Sequence, residues 1–374
     1  MIKSFIHGTT DPKFNQVNQA FASSFADGLE HGAAVAVVLD GKLVVDLWGG
    51  HADKAKFKPW ARDTIVNVWS ATKGVVALAI AKAVEQGKLA YDKPVANIWP
   101  EFATSGKENI TLNQTMSHTS GLNGLNLPIS EDDLLAWSPY VDALAAMKPN
   151  WNPGELCAYH ALSYGHLAGE ALRRATGKSI GQFVQDEISG PLGVSFFIGV
   201  PASQDHRCAE MIDGAGCNDW IGLVQSSPYP QGCMNPTPVA TSPNHRAWRA
   251  AEIPGGNGHG DALALASIYG DICGRNSKLI SADMRQEASR VRFRGMDESF
   301  ASLTTWGAGF RLEDETYGGK ASNKSIGHGG WGGTIAFGDP EARLGFAYVT
   351  NNMLGFDTLD PRRERLIAAV YDAI

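Results

Sequence analysis

A hydroxyl and an amine stand three residues apart in Ser70-Ala71-Thr72-Lys73, where a strand-like run gives way to an apolar one. Thr64-Ile65-Val66-Asn67-Val68 reads as extended, and the stretch from Gly74 to Gly87 holds only Lys82, Glu85 and Gln86 as strongly polar members. Ser70 therefore opens a buried helix. Positions i and i+3 share a helix face, so Lys73 can reach the Ser70 oxygen from one turn on. The helix N-terminus adds partial positive charge, and burial lowers an amine's pKa from about 10.4 towards about 7 to 8, where it can accept a proton. A neutral lysine beside a serine is a general base beside a nucleophile. The bland alternative is an N-cap serine followed by an exposed lysine. Against it, Lys73 lies between Trp69 and the apolar run Val75 to Ile80, a poor place for a solvated charge.

Two later segments carry further chemistry. Trp151-Asn152-Pro153-Gly154-Glu155 is a turn, and it leads into Tyr159-His160-Ala161 ahead of a helical run from His166 to Ala175. A tyrosine there is either a core residue with a satisfied hydroxyl or a third member of the site. Near the C-terminus, Gly327-His328-Gly329-Gly330-Trp331-Gly332-Gly333-Thr334 sets glycines directly before a strand, for a backbone that approaches something closely or turns tightly. His118 reads as a turn-stabilising side chain, and His259 as either a loop histidine or one facing a cleft. Glu155 and Glu170 read as solvated or salt-bridged.

In this order the segments resemble the serine β-lactamase and penicillin-binding-protein superfamily, and within it the family VIII carboxylesterases, relatives of class C β-lactamases that hydrolyse esters. The marks are Trp69-Ser70-Ala71-Thr72-Lys73, Ser117-His118-Thr119-Ser120-Gly121-Leu122, Pro153-Gly154 before Tyr159-His160-Ala161, and His328-Gly329-Gly330-Trp331-Gly332-Gly333. The resemblance implies that Ser70 is the acylated nucleophile, that Lys73 takes or shares its proton, and that Tyr159 matches the tyrosine of the Tyr-x-Asn motif. It sets Trp331-Gly332-Gly333 where β-lactamases have Lys-Thr-Gly, with His328 nearby as a substrate-binding donor. It also implies an oxyanion hole from the backbone N–H groups of Ser70 and Thr334. Either neutral Lys73, or a tyrosinate at Tyr159 beside a charged lysine, can deprotonate Ser70.

Two departures point away from β-lactams. Ala161 stands where Tyr-x-Asn has its amide, and Trp331 replaces the lysine that pairs with an acidic substrate group. A small neutral ester is the expected substrate, with no cofactor and no metal. An acyltransferase, a β-lactamase or a D-amino-acid peptidase could use the same Ser70 chemistry, and a silent ligand-binding module could use the same scaffold.

Positioning these groups requires a scaffold drawn from both chain ends. Phe21, Phe25 and Leu29 are spaced as on a helix, and Ala33 to Leu39 and Leu43 to Trp48 flank the turn Asp40-Gly41. Thr334 to Phe337 and Leu344 to Val349 read as two more strands, and Asp360-Pro361 opens a closing helix. The expectation is an α/β (α+β), β-lactamase/transpeptidase-like fold. Residues 1–90 and 300–374 would form an antiparallel sheet with flanking helices, residues 91–299 an inserted, mostly helical subdomain, and the cleft would lie between them. The stretch from Asp205 to Gly260, rich in Pro, Gly, Ser and Asn, reads as a lid or pocket wall.

Composition excludes several partners. The 374 residues are 44% apolar, enough for a sizeable core, and no apolar run approaches the roughly 18 residues of a membrane span. The N-terminus shows no apolar leader, so a soluble, cytoplasmic protein is expected. A net charge of -7 without a basic cluster argues against nucleic acid, and the five cysteines lack metal-site spacing. Oligomeric state is not encoded in any of these features.

Overall fold

The computed structural model describes residues 5–355 and 359–374. Its frame is a nine-stranded antiparallel sheet. In chain order the strands are β1 (Ile6–Thr10), β2 (Gly32–Leu39), β3 (Lys42–Gly50), β4 (Phe293–Asp297), β5 (Ser302–Trp306), β6 (Arg311–Leu312), β7 (Ile326–Gly329), β8 (Ile335–Asp339) and β9 (Leu344–Thr350), arranged β1-β3-β2-β9-β8-β7-β6-β5-β4. The first three strands meet the last six at the β2–β9 ladder, where Val37 faces Phe346 and Val35 faces Tyr348. The turn joining β2 to β3 places Asp40 and Gly41 at positive φ, as a two-residue hairpin requires.

Strand alternation sends apolar side chains into a separate cluster on each face of the sheet. On one face Ala34, Ala36, Ala347 and Val349 join the larger cluster, and on the other Val35, Val37, Phe337, Phe346 and Tyr348 join the smaller one. Small residues on the first face let helix α4 (Ala262–Cys273) lie directly on the sheet. A Cβ on Gly345 would fall 2.2 Å from the Ala266 carbonyl oxygen, so nothing larger than hydrogen fits there. The bulky face is covered by α1 (Asn15–Ala26) and α5 (Pro361–Tyr371), whose N-cap Asp360 accepts a hydrogen bond from the Arg362 N–H.

Between α4 and the rest of the chain runs α2 (Thr72–Glu85), with eleven buried residues and apolar side chains all round, as a helix enclosed on every side must have. Helix α3 (Ser163–Thr176) packs beside it and ends at Gly177, whose φ of 75° suits a left-handed cap. The expected boundaries shift in two places. Strand β4 begins at Phe293, inside the segment expected to be inserted, and α4, also inside it, belongs to the sheet's own layer. Neither α4, which is buried on most sides, nor the short β4 with its partly exposed face carries a clean periodic pattern. Four of the five cysteines are buried, Cys208 is partly exposed, and all five are unpaired. No described helix is long and apolar enough to cross a membrane.

Candidate active site

Ser70 sits in a 3-10 turn (Trp69–Ala71) that runs into α2, so its hydroxyl projects from the start of a buried helix. The turn is held in a costly conformation, with Trp69 at φ 48°. Neighbouring backbone fixes it: Val68 N–H donates to the Gly258 carbonyl at 2.8 Å, and Thr72 Oγ1 accepts from Gly258 N–H at 2.9 Å while donating to the Trp69 carbonyl at 2.5 Å. The short strand Val66–Asn67 pairs with His259–Gly260, which brings that loop alongside.

Lys73 is fully buried. Its Nζ lies 3.0 Å from Ser70 Oγ and 2.6 Å from the Gly255 carbonyl oxygen, and 4.8 Å from the centre of the Tyr159 ring. Among the described residues no carboxylate pairs with it, and burial lowers its pKa to about 7. Among the described residues the opposing influence is the Cys233 thiol, which burial pushes up to about 12 and so keeps uncharged at neutral pH.

Tyr159, 9% exposed, brings its hydroxyl to 3.5 Å from His328 Nε2. Burial raises its pKa above the ordinary phenol value, only partly offset by hydrogen bonding with Ser70. His328 Nδ1 donates to the Gly329 carbonyl at 2.6 Å, which leaves Nε2 as an acceptor facing the phenol. Burial, with Lys73 nearby, holds that imidazole well below its ordinary pKa and therefore neutral.

These groups open onto one cavity of about 570 Å³, which Ser70, Tyr159, Ala161, His328 and Trp331 all line. A family model described as "Beta-lactamase" matches residues 17–369. The chain belongs to the beta-lactamase family. Among curated relatives it is 33% identical over 366 residues to "Esterase/beta-lactamase LipL" of Mycobacterium tuberculosis (strain ATCC 25618 / H37Rv), covering 93% of this chain and 83% of that one. Among solved structures, a family VIII carboxylesterase superposes with a TM-score of 0.91 at 37% identity, over 99% of this chain and 100% of the other. A penicillin-binding protein homolog from Caulobacter crescentus gives 0.89 at 35%, with the same coverage. The chain is thus an esterase/β-lactamase-type hydrolase by kinship.

Within this beta-lactamase frame, the glycine-rich segment is used differently from the expectation. The residue of that segment facing Tyr159 is His328, and Trp331 lies three positions beyond it, at the tip of the β7–β8 hairpin. Gly332, Gly333 and Thr334 do not line the cavity. Gly333 makes room for Arg362, whose Nη2 would lie 2.3 Å from a Cβ there and donates to the Gly332 carbonyl at 2.8 Å. Thr334 is buried, its carbonyl accepting from Gly330 N–H at 2.7 Å. The backbone N–H of Trp331 donates no hydrogen bond among the described residues, and Gly330 backs onto Val68, a Cβ on it falling 2.3 Å from the Val68 carbonyl oxygen.

The remaining sequence candidates are structural. His118 accepts the His160 N–H at 3.0 Å and packs its ring 4.8 Å from that of Tyr159, bracing it from behind. His259 bonds the Asn257 carbonyl and stays off the cavity, while Glu170 holds Arg173, Arg174 and the Trp137 indole. The Asp205 to Gly260 stretch is a wall, contributing Trp220, Leu223 and Pro238. Sequence reasoning missed Asp297, Phe300, Arg311 and Arg363 on the lining. Arg311 pairs with Asp314 at 2.6 Å, an i,i+3 spacing visible in the sequence, whereas Arg363 has no hydrogen bond or ion pair among the described residues. Its Nε is buried and its Nη1 stands 3.9 Å from a Cβ position on Gly329. Among the described residues no cluster of His, Cys, Asp or Glu could hold a metal ion.

Proposed function

We propose that this chain is a carboxylesterase that works through an acyl-enzyme on Ser70. The observation that carries the reading is the Lys73 amine, buried, without a carboxylate partner among the described residues, and 3.0 Å from the Ser70 hydroxyl. With its pKa at about 7 it is half neutral at physiological pH and can take the serine proton. The raised pKa of Tyr159 argues against a resting tyrosinate, so the phenol acts as a donor.

The reaction follows from this division of roles. Lys73 removes the Ser70 proton as Oγ attacks the ester carbonyl, and the carbonyl π-electrons move onto oxygen. The backbone N–H groups of Ser70 and Trp331, rather than of Ser70 and Thr334, receive that oxyanion, each donor being worth roughly 3 to 4 kcal/mol of barrier. The tetrahedral adduct collapses, the C–O bond to the alcohol breaks, and the departing oxygen takes a proton through Tyr159 from the lysine. Water then adds to the acyl-enzyme carbonyl, giving a proton to the same pair; the adduct collapses, the bond from carbon to Ser70 Oγ breaks, Oγ takes that proton back, and the acid leaves.

Ser70→Ala should lower ester turnover by at least a thousandfold, and the wild-type enzyme should show a pre-steady-state burst of alcohol with p-nitrophenyl butyrate. Wild-type rates in the variant would end the reading. β-Lactam hydrolysis is a second reading, favoured by Arg363, which has no ion pair among the described residues and offers an acidic substrate group the cation that neither Trp331 nor neutral His328 supplies. A chromogenic cephalosporin tests it: turnover that Arg363→Gln reduces more than ester turnover supports it, and no turnover refutes it.

A further inference from the structure

The cavity wall above Ser70 is a belt of aromatic rings contributed by separate parts of the chain. Trp69, from the turn before α2, meets Trp331, from the β7–β8 hairpin, at 4.7 Å between ring centres. Trp331 meets Trp220, from the 205–260 wall, at 5.4 Å and 87°. The belt continues through Phe300 at 6.4 Å from Trp220, Tyr159 at 5.7 Å from Phe300, and Trp306 at 6.1 Å from Tyr159. All six rings line the same cavity. None of the motifs that mark the nucleophile requires this arrangement.

Three of the six rings are held in place. Trp331 donates its indole N–H to the Cys217 carbonyl at 2.5 Å, Tyr159 is braced by His118, and Trp306 is 1% exposed. Aromatic walls held in this way stack on a flat group better than on a puckered one of similar volume. A belt of rings can also serve as a cage for a cation. Here the charged side chains on the lining are Asp297 and Asp314 against Arg311 and Arg363, two of each sign, so no net field favours a cation.

We propose that the group this cleft is built to take is a neutral, planar aryl ring, carried on either the acyl or the alcohol side of the ester. This rests on the hydrolase reading above and names its substrate class. Stacking of the aryl ring on the belt favours flat substrates by about three- to tenfold over saturated ones of the same size.

The test compares kcat/KM of the wild-type enzyme for methyl phenylacetate against methyl cyclohexylacetate, and for benzyl acetate against cyclohexylmethyl acetate. One methylene separates each ring from the ester, and the inductive and steric difference that remains is removed by dividing each kcat/KM by that ester's rate constant for hydroxide hydrolysis, so every ratio compared is this corrected one. A preference of threefold or more for the aryl member in one pair supports the proposal and tells which side of the ester the belt holds. Ratios below threefold in both pairs overturn it while leaving the hydrolase reading intact, as does faster turnover of a trimethylammonium ester. No turnover of any ester, with Ser70 unlabelled by an organophosphonate, sinks both. Trp220→Leu and Trp331→Leu should each move the favoured ratio towards one, and a ratio unmoved in both variants overturns the assignment of these rings. The wild-type comparison does not depend on either variant folding.

Discussion

Burial sets the chemistry of the two side chains that serve Ser70, in opposite senses. The same loss of water that lowers Lys73 to about 7 raises Tyr159 above its ordinary value, because each group is pushed towards its uncharged form. An uncharged amine accepts a proton and an uncharged phenol donates one, so loss of solvation is the main influence that assigns the pair its roles. Two outcomes follow. The kcat/KM for esters should rise about tenfold per pH unit below about 7 and level off above it, as Lys73 in the free enzyme loses its proton; a flat profile from pH 5 to 8 would contradict the assignment. Tyr159→Phe should keep the acid limb at the same pH and lower kcat by about 10² to 10³, since it removes the donor and leaves the base. A shifted limb in that variant would mean that the phenol, and not the amine, is what titrates.

At the scale of elements, the site depends on how closely backbone segments approach one another. Helix α4 touches the sheet at Gly345, where a Cβ would lie 2.2 Å from the Ala266 carbonyl oxygen and as close to the Gly270 nitrogen. Gly345→Ala should therefore destabilise the fold by about 1–3 kcal/mol, read as a lower denaturation midpoint, while an unchanged midpoint would mean that α4 can shift at no cost. Much of this level was legible in the sequence. The β2–β3 hairpin showed itself through alternating apolar residues around Asp40-Gly41, and α5 through Asp360-Pro361, because these signals are local. Register was not legible. His328-Gly329-Gly330 and Trp331-Gly332-Gly333 are both small-residue triplets behind a ring, and which ring faces Tyr159 depends on Gly329 pairing with Ile335. That pairing is set by the whole sheet. The same reason hid Arg363 and Phe300, whose neighbours in space come from distant parts of the chain.

For the molecule as a whole, holding an amine away from water costs stability. The unfolded chain keeps Lys73 protonated up to the ordinary lysine value of 10.5, whereas the folded chain releases the proton at about 7. Between these values the unfolded state binds more protons, so stability rises with pH across that window, and the cost is fully present below it. Lys73→Met should therefore raise the melting temperature by several degrees at pH 6, with the gain shrinking as pH climbs towards 10. An equal or lower melting temperature at pH 6 would show that the amine is not held in a dry site. The central claim, that a neutral buried lysine turns Ser70 into the nucleophile, is tested most directly by the mass of the intact protein during reaction with an organophosphonate ester, followed by location of the modified peptide. A single adduct on Ser70 in the wild-type protein, slowed at least a hundredfold in the folded Lys73→Met variant, is the predicted result. An adduct on any other residue, or one that forms on Ser70 at the same rate without the lysine, would contradict it.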